Sequence, residues 1–284
     1  MSRFSSAVST GPRNRTLFFA CLLLLAFVFL PFFARSENAP PAPLPLDVPF
    51  VPTPPEVVDK MLRMADVRPS DFLIDLGAGD GRIAVAAVRD YGAKGAFGVD
   101  LNPERVKEAR ANAQQAGVDD RVHFEVQDLF ETDFSKATVV SMYLLPSVNM
   151  KLRPKVLDLM PGTRVVSHAF TMQDWEPDAQ DSVGGRDVYF WVVPAKVGGE
   201  WALSGPDGDL ALKLDQSFQR VSGTATDATG KKLRLSGMLR GEFINLNIED
   251  GGAGSRQYVG RVRGDTIVAQ DESGAVKGWK ASRR

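Results

Sequence analysis

Residues 71–83, with the sequence DFLIDLGAGDGRI, constrain the fold of this chain more than any other segment. A short run of strand-forming residues leads into Gly77, Gly79 and Gly81, and a stretch of helical character follows. Glycine adopts positive φ at little cost and lets a ligand approach the backbone closely, while the start of a helix offers unpaired N–H groups. The segment therefore predicts a strand–loop–helix unit with a ligand site at the loop.

The sequence around this unit alternates between strand and helix patterns. Strands are predicted over FLIDLG, GAFGVD, RVHFEVQDLF, TVVSMYLL and TRVVSHAF, and helices over EVVDKMLRMADV, GRIAVAAVRDYG, PERVKEARANAQQAG and residues 152–160. Short apolar strands that alternate with helices indicate a mostly parallel sheet with helices on both faces. The expected fold class is therefore α/β, with a Rossmann-like sheet in residues 56–195.

Residues 196–284 have a different pattern. Apolar and polar residues alternate there, and turns rich in Gly, Asp and Asn recur about every eight to twelve residues. This pattern predicts a small all-β domain of six to eight short strands, arranged as a meander or barrel. A structural or protein-contact role and a ligand-binding role both remain open for it.

The N-terminus contains an apolar segment. Residues 17–34 carry no charge, and eighteen residues are long enough to cross most of a bilayer core as a helix. Residues 1–36 are therefore predicted to be a membrane anchor or a cleaved signal segment, and both remain open. Residues 37–55 hold eight prolines, which predicts an extended linker.

Charge composition limits the possible partners. The chain has 34 Lys and Arg against 35 Asp and Glu, so no long-range field draws it to nucleic acid, and no nucleic-acid partner is expected. Cys21 is the single cysteine, which excludes an intramolecular disulfide and a cysteine-based zinc site. No metal is expected in the chemistry.

Two aspartates extend the glycine loop into a predicted cofactor site. Asp100 ends the second predicted strand, where a carboxylate accepts hydrogen bonds from ribose hydroxyls, and Asp128 ends the third, within reach of an adenine amino group. Taken singly, Asp100 could be a helix-capping residue and Asp128 a solvated charge. Together with the loop, they predict a site for a nucleoside-bearing cofactor.

The D-x-G-x-G-x-G motif that begins at Asp75, followed by Asp100 and Asp128, resembles the class I S-adenosylmethionine-dependent methyltransferases. Dehydrogenases have the different spacing G-x-G-x-x-G. The resemblance covers about residues 50–195. It implies a methyltransferase sheet with S-adenosylmethionine as the cofactor, whose ammonium group Asp75 and the loop carbonyls would meet.

Longer segments carry a finer resemblance. VPFVPTPPEVVDKML, DLGAGDGRI, RVHFEVQDLFETDFSKATVVSMYLLPSVNMKLRPKV and PGTRVVSHAFTMQDWEPD are similar to a bacterial branch of the family that contains the ATP synthase c-subunit lysine methyltransferase. This resemblance implies a membrane-attached protein-lysine N-methyltransferase, in which residues 51–54 fold over the cofactor. The last ninety residues have no counterpart in that family.

Three residues are candidates for contact with the methyl acceptor. Tyr143 ends the fourth predicted strand and can pack on a methylammonium group or accept a hydrogen bond from a lysine amine. Asn149 could orient the nucleophile, and His168, at the end of the fifth strand, could accept its proton. The alternatives are a core aromatic residue for Tyr143 and a structural histidine for His168. The chain lacks the Asn/Asp-Pro-Pro-Tyr motif that holds the amines of DNA bases.

The leading functional prediction is an S-adenosylmethionine-dependent methyltransferase that acts on a protein lysine. A small-molecule O- or N-methyltransferase is the alternative, and a non-catalytic envelope protein with a cofactor-type fold is a third possibility. Two considerations predict different locations for the rest of the chain. Arg3, Arg13 and Arg15 precede the apolar segment and favour a periplasmic position. Supply of the cofactor favours the cytoplasm.

Overall fold

The computed structural model describes residues 50–249 and 254–284, which form an α/β sheet and a β-barrel. The elements of the α/β part are, in chain order, α1 (Pro55–Met64), β1 (Phe72–Leu76), α2 (Arg82–Arg89), β2 (Gly95–Asp100), α3 (Pro103–Gln115), β3 (Val122–Val126), β4 (Val139–Met142), α4 (Pro146–Leu157), β5 (Arg164–His168), β6 (Ala179–Val183) and β7 (Arg186–Val192).

The sheet has seven strands in the order β3-β2-β1-β4-β5-β7-β6. Strands β1 to β5 are parallel, and β7 lies antiparallel between β5 and β6. The predicted, mostly parallel sheet is confirmed. Strand order reverses between β1 and β4, and ligands bind at the carboxyl ends of strands beside such a switch point.

Apolar residues on both faces of the sheet fix the helical layers. On β1, Leu73 belongs to the core shared with α1, α2 and α3, whereas Ile74 belongs to the core shared with α4. Successive side chains of a strand point to opposite faces, so one run of apolar residues serves both cores. The second core also holds the fully buried rings of Trp175 and Trp191.

One helix and one pair of strands in the α/β part differ from the sequence prediction. The helix predicted over residues 152–160 is α4, which begins at Pro146 and ends at Leu157. Proline fits the first turn of a helix because its missing N–H is not needed there. Asn149 consequently lies within the first turns of α4. The hairpin of β6 and β7, which adds the antiparallel pairs, was not predicted.

The C-terminal residues form a closed antiparallel barrel, which confirms the predicted all-β domain. Strand β15 pairs with β8, and this pairing closes the barrel. Its strands in the described residues are β8 (Gly199–Ser204), β9 (Leu210–Ser217), β10 (Arg220–Asp227), β11 (Lys232–Arg240), β12 (Phe243–Glu249), β13 (Ser255–Arg263), β14 (Thr266–Ala269) and β15 (Lys280–Arg283). The domain limits 56–195 and 196–284 remain predictions.

The barrel packs at the amino end of β5. Val192, the last residue of β7, lies opposite Arg164, the first residue of β5, and the chain enters the barrel from there. The N–H of Ala195 donates to the carbonyl of Gly241 at 2.8 Å, and Gly241 lies against Gly162. The barrel is therefore at the opposite end of the sheet from the ligand crevice.

In the described ranges, 50–249 and 254–284, no helix is both long and apolar enough to cross a membrane. The apolar segment of residues 17–34 and most of the predicted linker, residues 37–49, lie outside these ranges. Their predicted roles stay predictions.

Trp175 connects the sheet core to the barrel, because its ring lies 6.0 Å from those of both Trp191 and Phe218. We expect Trp175→Ala to lower the free energy of unfolding by about 3–5 kcal/mol through loss of buried surface and formation of a cavity. Urea unfolding followed by circular dichroism measures the loss. Met160→Ala, at an exposed position, is the control, and an equal effect of the two substitutions would contradict this role.

Candidate active site

The glycine loop between β1 and α2 needs glycine for both conformation and space. Gly77, Gly79 and Gly81 have φ values of 76°, 55° and 77°. A Cβ at Gly77 would come within 2.8 Å of the Leu144 side chain, and one at Gly79 within 2.4 Å of the Phe50 ring. The loop therefore presents bare backbone at the switch point, as the sequence predicted.

The carboxylate of Asp100 holds this loop against the end of β2. One oxygen accepts a hydrogen bond from the N–H of Gly79 at 2.9 Å, and the other accepts one from the N–H of Asn102 at 2.9 Å. On the same side, the N–H groups of Gly77 and Ala78 both donate to the carbonyl of Val99. Asp100 thus fixes the loop and also lines the crevice beside it.

Asp128 lies two residues beyond the end of β3, where its carboxylate accepts a hydrogen bond from the N–H of Phe130 at 2.8 Å. It lines a cavity of about 70 Å³. A neighbouring cavity of about 90 Å³ is lined by the glycine loop, Tyr143 and residues 50–53. Gly77, Asp100 and Leu144 line both cavities, so they are parts of one crevice.

The crevice fits S-adenosylmethionine in its chemistry. Carboxylates stand at the ends of two adjacent strands, and the bare loop lies between the two cavities that they line. Cofactor pockets usually measure about 300 Å³ or more, which exceeds both cavities together. Leu144 lies against Gly77 and Phe50 against Gly79, so these two side chains border the space that a whole cofactor needs.

Asp75 supplies a second indication of a ligand. Its carboxyl group is buried, one oxygen accepts a hydrogen bond from the Ser141 hydroxyl at 2.7 Å, and the other oxygen has no partner among the described residues. Burial raises the pKa of Asp75 to about 7; the Ser141 bond opposes this shift, and the charges of Asp80 and Asp100 add to it. Asp75 lines neither cavity, but its unpaired buried oxygen, two residues before Gly77, suits a cationic donor such as an ammonium group.

Tyr143, immediately after β4, is the candidate acceptor residue that lines the crevice. Its ring lies 3.9 Å from the ring of His168 and 6.1 Å from that of Phe170. His168 is only 2% exposed and lies 3.2 Å, Nδ1 to Oγ1, from Thr53. Burial, with a smaller effect of Arg186, lowers the pKa of His168, so the imidazole is neutral near pH 7.

Asn149 lies behind the crevice. Its buried amide nitrogen donates to the carbonyls of Phe170 and Thr171 at 3.4 and 3.3 Å, and its carbonyl oxygen has no partner in the described part of the chain. Asn149 and His168 line neither cavity. Their catalytic roles remain predictions, and their contacts are those of residues that support Tyr143 and the loop after β5.

Sequence reasoning missed the residues that hold the strap, which we define as residues 50–54. Arg82 donates from Nη1 to the carbonyl of Thr53 at 2.9 Å and forms an ion pair with Asp80. Arg105 lies 4.8 Å from the centre of the Phe50 ring. The charged pair of Asp80 and Arg82 is visible in the GDGR segment. Its contact with Thr53 was not predicted, because Thr53 lies 29 residues upstream of Arg82.

Together, the sheet, the glycine loop and the acids after β2 and β3 define a class I S-adenosylmethionine-dependent methyltransferase. The model of the ANTKMT methyltransferase domain matches residues 75–179. The chain is 46% identical over 151 residues to a protein-lysine N-methyltransferase of Saccharolobus islandicus, and the match covers 51% of this chain and 94% of that protein. The chain therefore belongs to this family of protein-lysine N-methyltransferases, and the predicted resemblance is confirmed.

Other relatives agree on the methyltransferase class. The chain is 33% identical over 172 residues to the ATP synthase c-subunit lysine N-methyltransferase of Xenopus laevis, covering 60% of this chain and 70% of that protein. It spans 66% of the adenine nucleotide translocase lysine N-methyltransferase of Mus musculus. The crystal structure of an RNA methyltransferase from Salinibacter ruber, in complex with S-adenosyl-L-homocysteine, is 53% identical with a TM-score of 0.51; the match covers 52% of this chain and 96% of that one.

The pKa of Asp75 predicts a pH-dependent effect of substitution. A carboxyl whose folded pKa is raised from 3.8 to about 7 stabilises the fold below pH 3.8 and loses that contribution as pH rises through 7. Asp75→Asn should therefore raise the free energy of unfolding at about pH 8, by up to roughly 4 kcal/mol, and have no effect near pH 4. Denaturant unfolding across this range measures the difference. Asp133→Asn, at an exposed carboxylate, is the control, and a gain that is equal at both pH values would refute the assignment.

Asp100→Ala should weaken binding of S-adenosylhomocysteine by about 1.5–3 kcal/mol, the scale of lost charge-assisted hydrogen bonds. Part of this loss comes from Gly79, whose N–H loses its acceptor. Asp100→Asn keeps one carbonyl acceptor and should lose less affinity. Titration calorimetry compares the variants, and unchanged affinity in Asp100→Ala would exclude this residue from the cofactor site.

Proposed function

We propose that the chain transfers a methyl group from S-adenosylmethionine to the ε-amine of a lysine in a protein. The observation that carries this proposal is the 46% identity to an archaeal protein-lysine N-methyltransferase over 94% of its length. The crevice supports it, because a bare loop, two strand-end acids and an aromatic residue surround one space.

Different residues of the crevice bind different parts of the cofactor in this proposal. In this proposal Asp100 binds the ribose hydroxyls, Asp128 the adenine amino group, and Asp75 with the glycine loop the amino-acid end. The bound cofactor supplies a methyl group already activated by its positive sulfur. The protein then has to align an amine with that methyl group and remove water and a proton, so alignment is the main catalytic contribution.

Tyr143 is the residue that we place against the acceptor. A lysine amine is protonated near neutral pH and must lose its proton before it can attack. Partial burial at the crevice favours the neutral, deprotonated amine. After transfer, the face of the tyrosine ring accommodates the methylated ammonium product. We assign His168 to positioning of this ring, because it packs on Tyr143 and its Nδ1 is held by Thr53.

Two other acceptors are alternatives. A small-molecule acceptor needs an enclosed pocket beside the cofactor, and the 46% identity to a protein-lysine N-methyltransferase favours a protein acceptor instead. An RNA acceptor is favoured by the 53% identity to the RNA methyltransferase from Salinibacter ruber. The even balance of 34 basic and 35 acidic residues weighs against it, because RNA-binding surfaces carry excess positive charge.

We also propose that residues 17–34 attach the chain to the membrane or direct its export. The basic residues before this segment favour a periplasmic position for residues 56–284, whereas cofactor supply favours the cytoplasm. A reporter fused after Arg284 distinguishes the two, with alkaline phosphatase active only outside the cytoplasm and a fluorescent protein only inside. Full solubility of the fusion, with no export, would refute both forms of the proposal.

Methyl-labelled cofactor tests the acceptor class. The purified protein and tritiated S-adenosylmethionine are incubated with soluble proteins, membranes and RNA from the source cells, and labelled lysine is expected after acid hydrolysis of a protein band. Activity should rise between about pH 7 and 9 as the amine loses its proton. Label found only in RNA, or only in a small organic molecule, would overturn the lysine proposal.

Tyr143→Phe should reduce turnover on the protein substrate while the affinity for S-adenosylhomocysteine stays nearly unchanged. The hydroxyl is lost, but the ring still packs on His168. Tyr91→Phe is the matched control, because the Tyr91 hydroxyl donates to Asp59 on an outer surface. Steady-state rates and calorimetry separate the two effects, and equal losses of turnover in both variants would remove Tyr143 from the acceptor site.

A further inference from the structure

The outer face of the barrel carries a groove of about 910 Å³ across strands β9 to β13. One row of directly paired residues runs along it, each opposite the next on the neighbouring strand. The row consists of Asp215, Ser222, Ser236, Asn247 and Gln257. With strands about 4.8 Å apart, it spans roughly 19 Å.

The polar groups of this row are uncharged except for Asp215 at one end, and within the groove Nε2 of Gln257 donates to Oδ1 of Asn245 at 3.1 Å. In the described part of the chain, the side chains of Ser222, Ser236 and Asn247 make no hydrogen bond to protein, and both serines are exposed. Hydroxyls and carboxamides can each donate and accept. A ligand on this row must therefore offer both donors and acceptors at several points.

The neighbouring rows contain charged or apolar residues, so the unbroken run of uncharged polar side chains is confined to this one row. The next row toward one end of the barrel pairs Lys213 with Thr224, Thr224 with Arg234, and Arg234 with Glu249. On the other side of the groove, the exposed side chain of Met238 offers an apolar surface, and Arg220 is engaged by Glu176. Charged residues are usual on a solvated barrel surface, and the described lining of the groove lacks them along most of its length.

We propose that the groove binds a neutral oligosaccharide. Sugar hydroxyls both donate and accept, which matches serine, asparagine and glutamine, and the C–H face of a sugar ring can rest on Met238. A peptide is less suited, because the strands described for the barrel close on themselves and leave no free edge for main-chain pairing. A nucleic acid is less suited, because the residues described along the groove offer its phosphates no unpaired arginine or lysine.

This site is separate from the methyltransferase site. The barrel packs at the amino end of β5, whereas the crevice lies at the carboxyl ends of the strands. Oligosaccharide binding at the groove therefore attaches the chain to a glycan and leaves the crevice free. It does not depend on the proposed lysine acceptor, and it persists when the cofactor site is disabled.

Calorimetry of the full chain with chitotetraose, cellotetraose and maltotetraose tests the proposal. Saturable binding of at least one tetrasaccharide is expected, and the double variant Asn247→Ala/Gln257→Ala should weaken it about tenfold or more through lost hydrogen bonds. The double variant Thr266→Ala/Ser282→Ala alters an outer pair on β14 and β15 and should bind normally. Circular dichroism verifies that both variants are folded.

A second substitution keeps the test independent of stability. Ser236→Arg places bulk and charge on the exposed row without changing the barrel interior and should abolish binding. Asp100→Ala, which affects the cofactor site, should leave it unchanged. No saturable binding of any of the three sugars, equal binding by Ser236→Arg, or equally tight binding of a neutral unstructured peptide would overturn the proposal.

Discussion

The hydrogen bond from Gly79 to the carboxylate of Asp100 is the interaction on which the active site depends. It ties the middle of the glycine loop to the end of β2, 21 residues later in the chain. The second oxygen of the same carboxylate fixes the turn into α3 through Asn102. An acid that binds both the loop and the following turn sets the shape of the crevice before any ligand enters. In the proposed function, the same carboxylate offers a preformed acceptor to the ribose of the cofactor, at little further cost in entropy.

The two ends of the sheet carry different parts of the molecule. At the carboxyl ends, the glycine loop, the acids and Tyr143 form the crevice, which the strap partly covers. At the amino end of β5, the barrel packs through Gly241 on Gly162 and through Phe218 on Trp175. These contacts tie the barrel firmly to the sheet yet leave the crevice open. The methyltransferase crevice and the groove proposed to bind a glycan therefore lie on separate parts of the fold.

Sequence reasoning predicted what is local. The glycine loop, Asp100 and Asp128 were found because strand, turn and helix patterns place them within short stretches, and the barrel was indicated by regular alternation. What it missed depends on contacts between distant residues. Thr53 meets His168 across 115 residues, and Arg82 reaches back over 29 residues to the strap. The start of α4 at Pro146, before the predicted limit of residue 152, was missed because apolar periodicity alone did not mark the first turns of this helix.

The strap joins the cofactor side of the crevice to the acceptor side. Its Phe50 ring lies against the glycine loop and lines the crevice. Four residues beyond Phe50, Pro54 leads into α1, so movement of the strap is limited by its attachment at Thr53. The side chain of Thr53 holds His168, and His168 supports the ring of Tyr143. Static contacts thus connect the strap with His168 and Tyr143, so the proposed cofactor and acceptor sides of the crevice share one set of supporting residues.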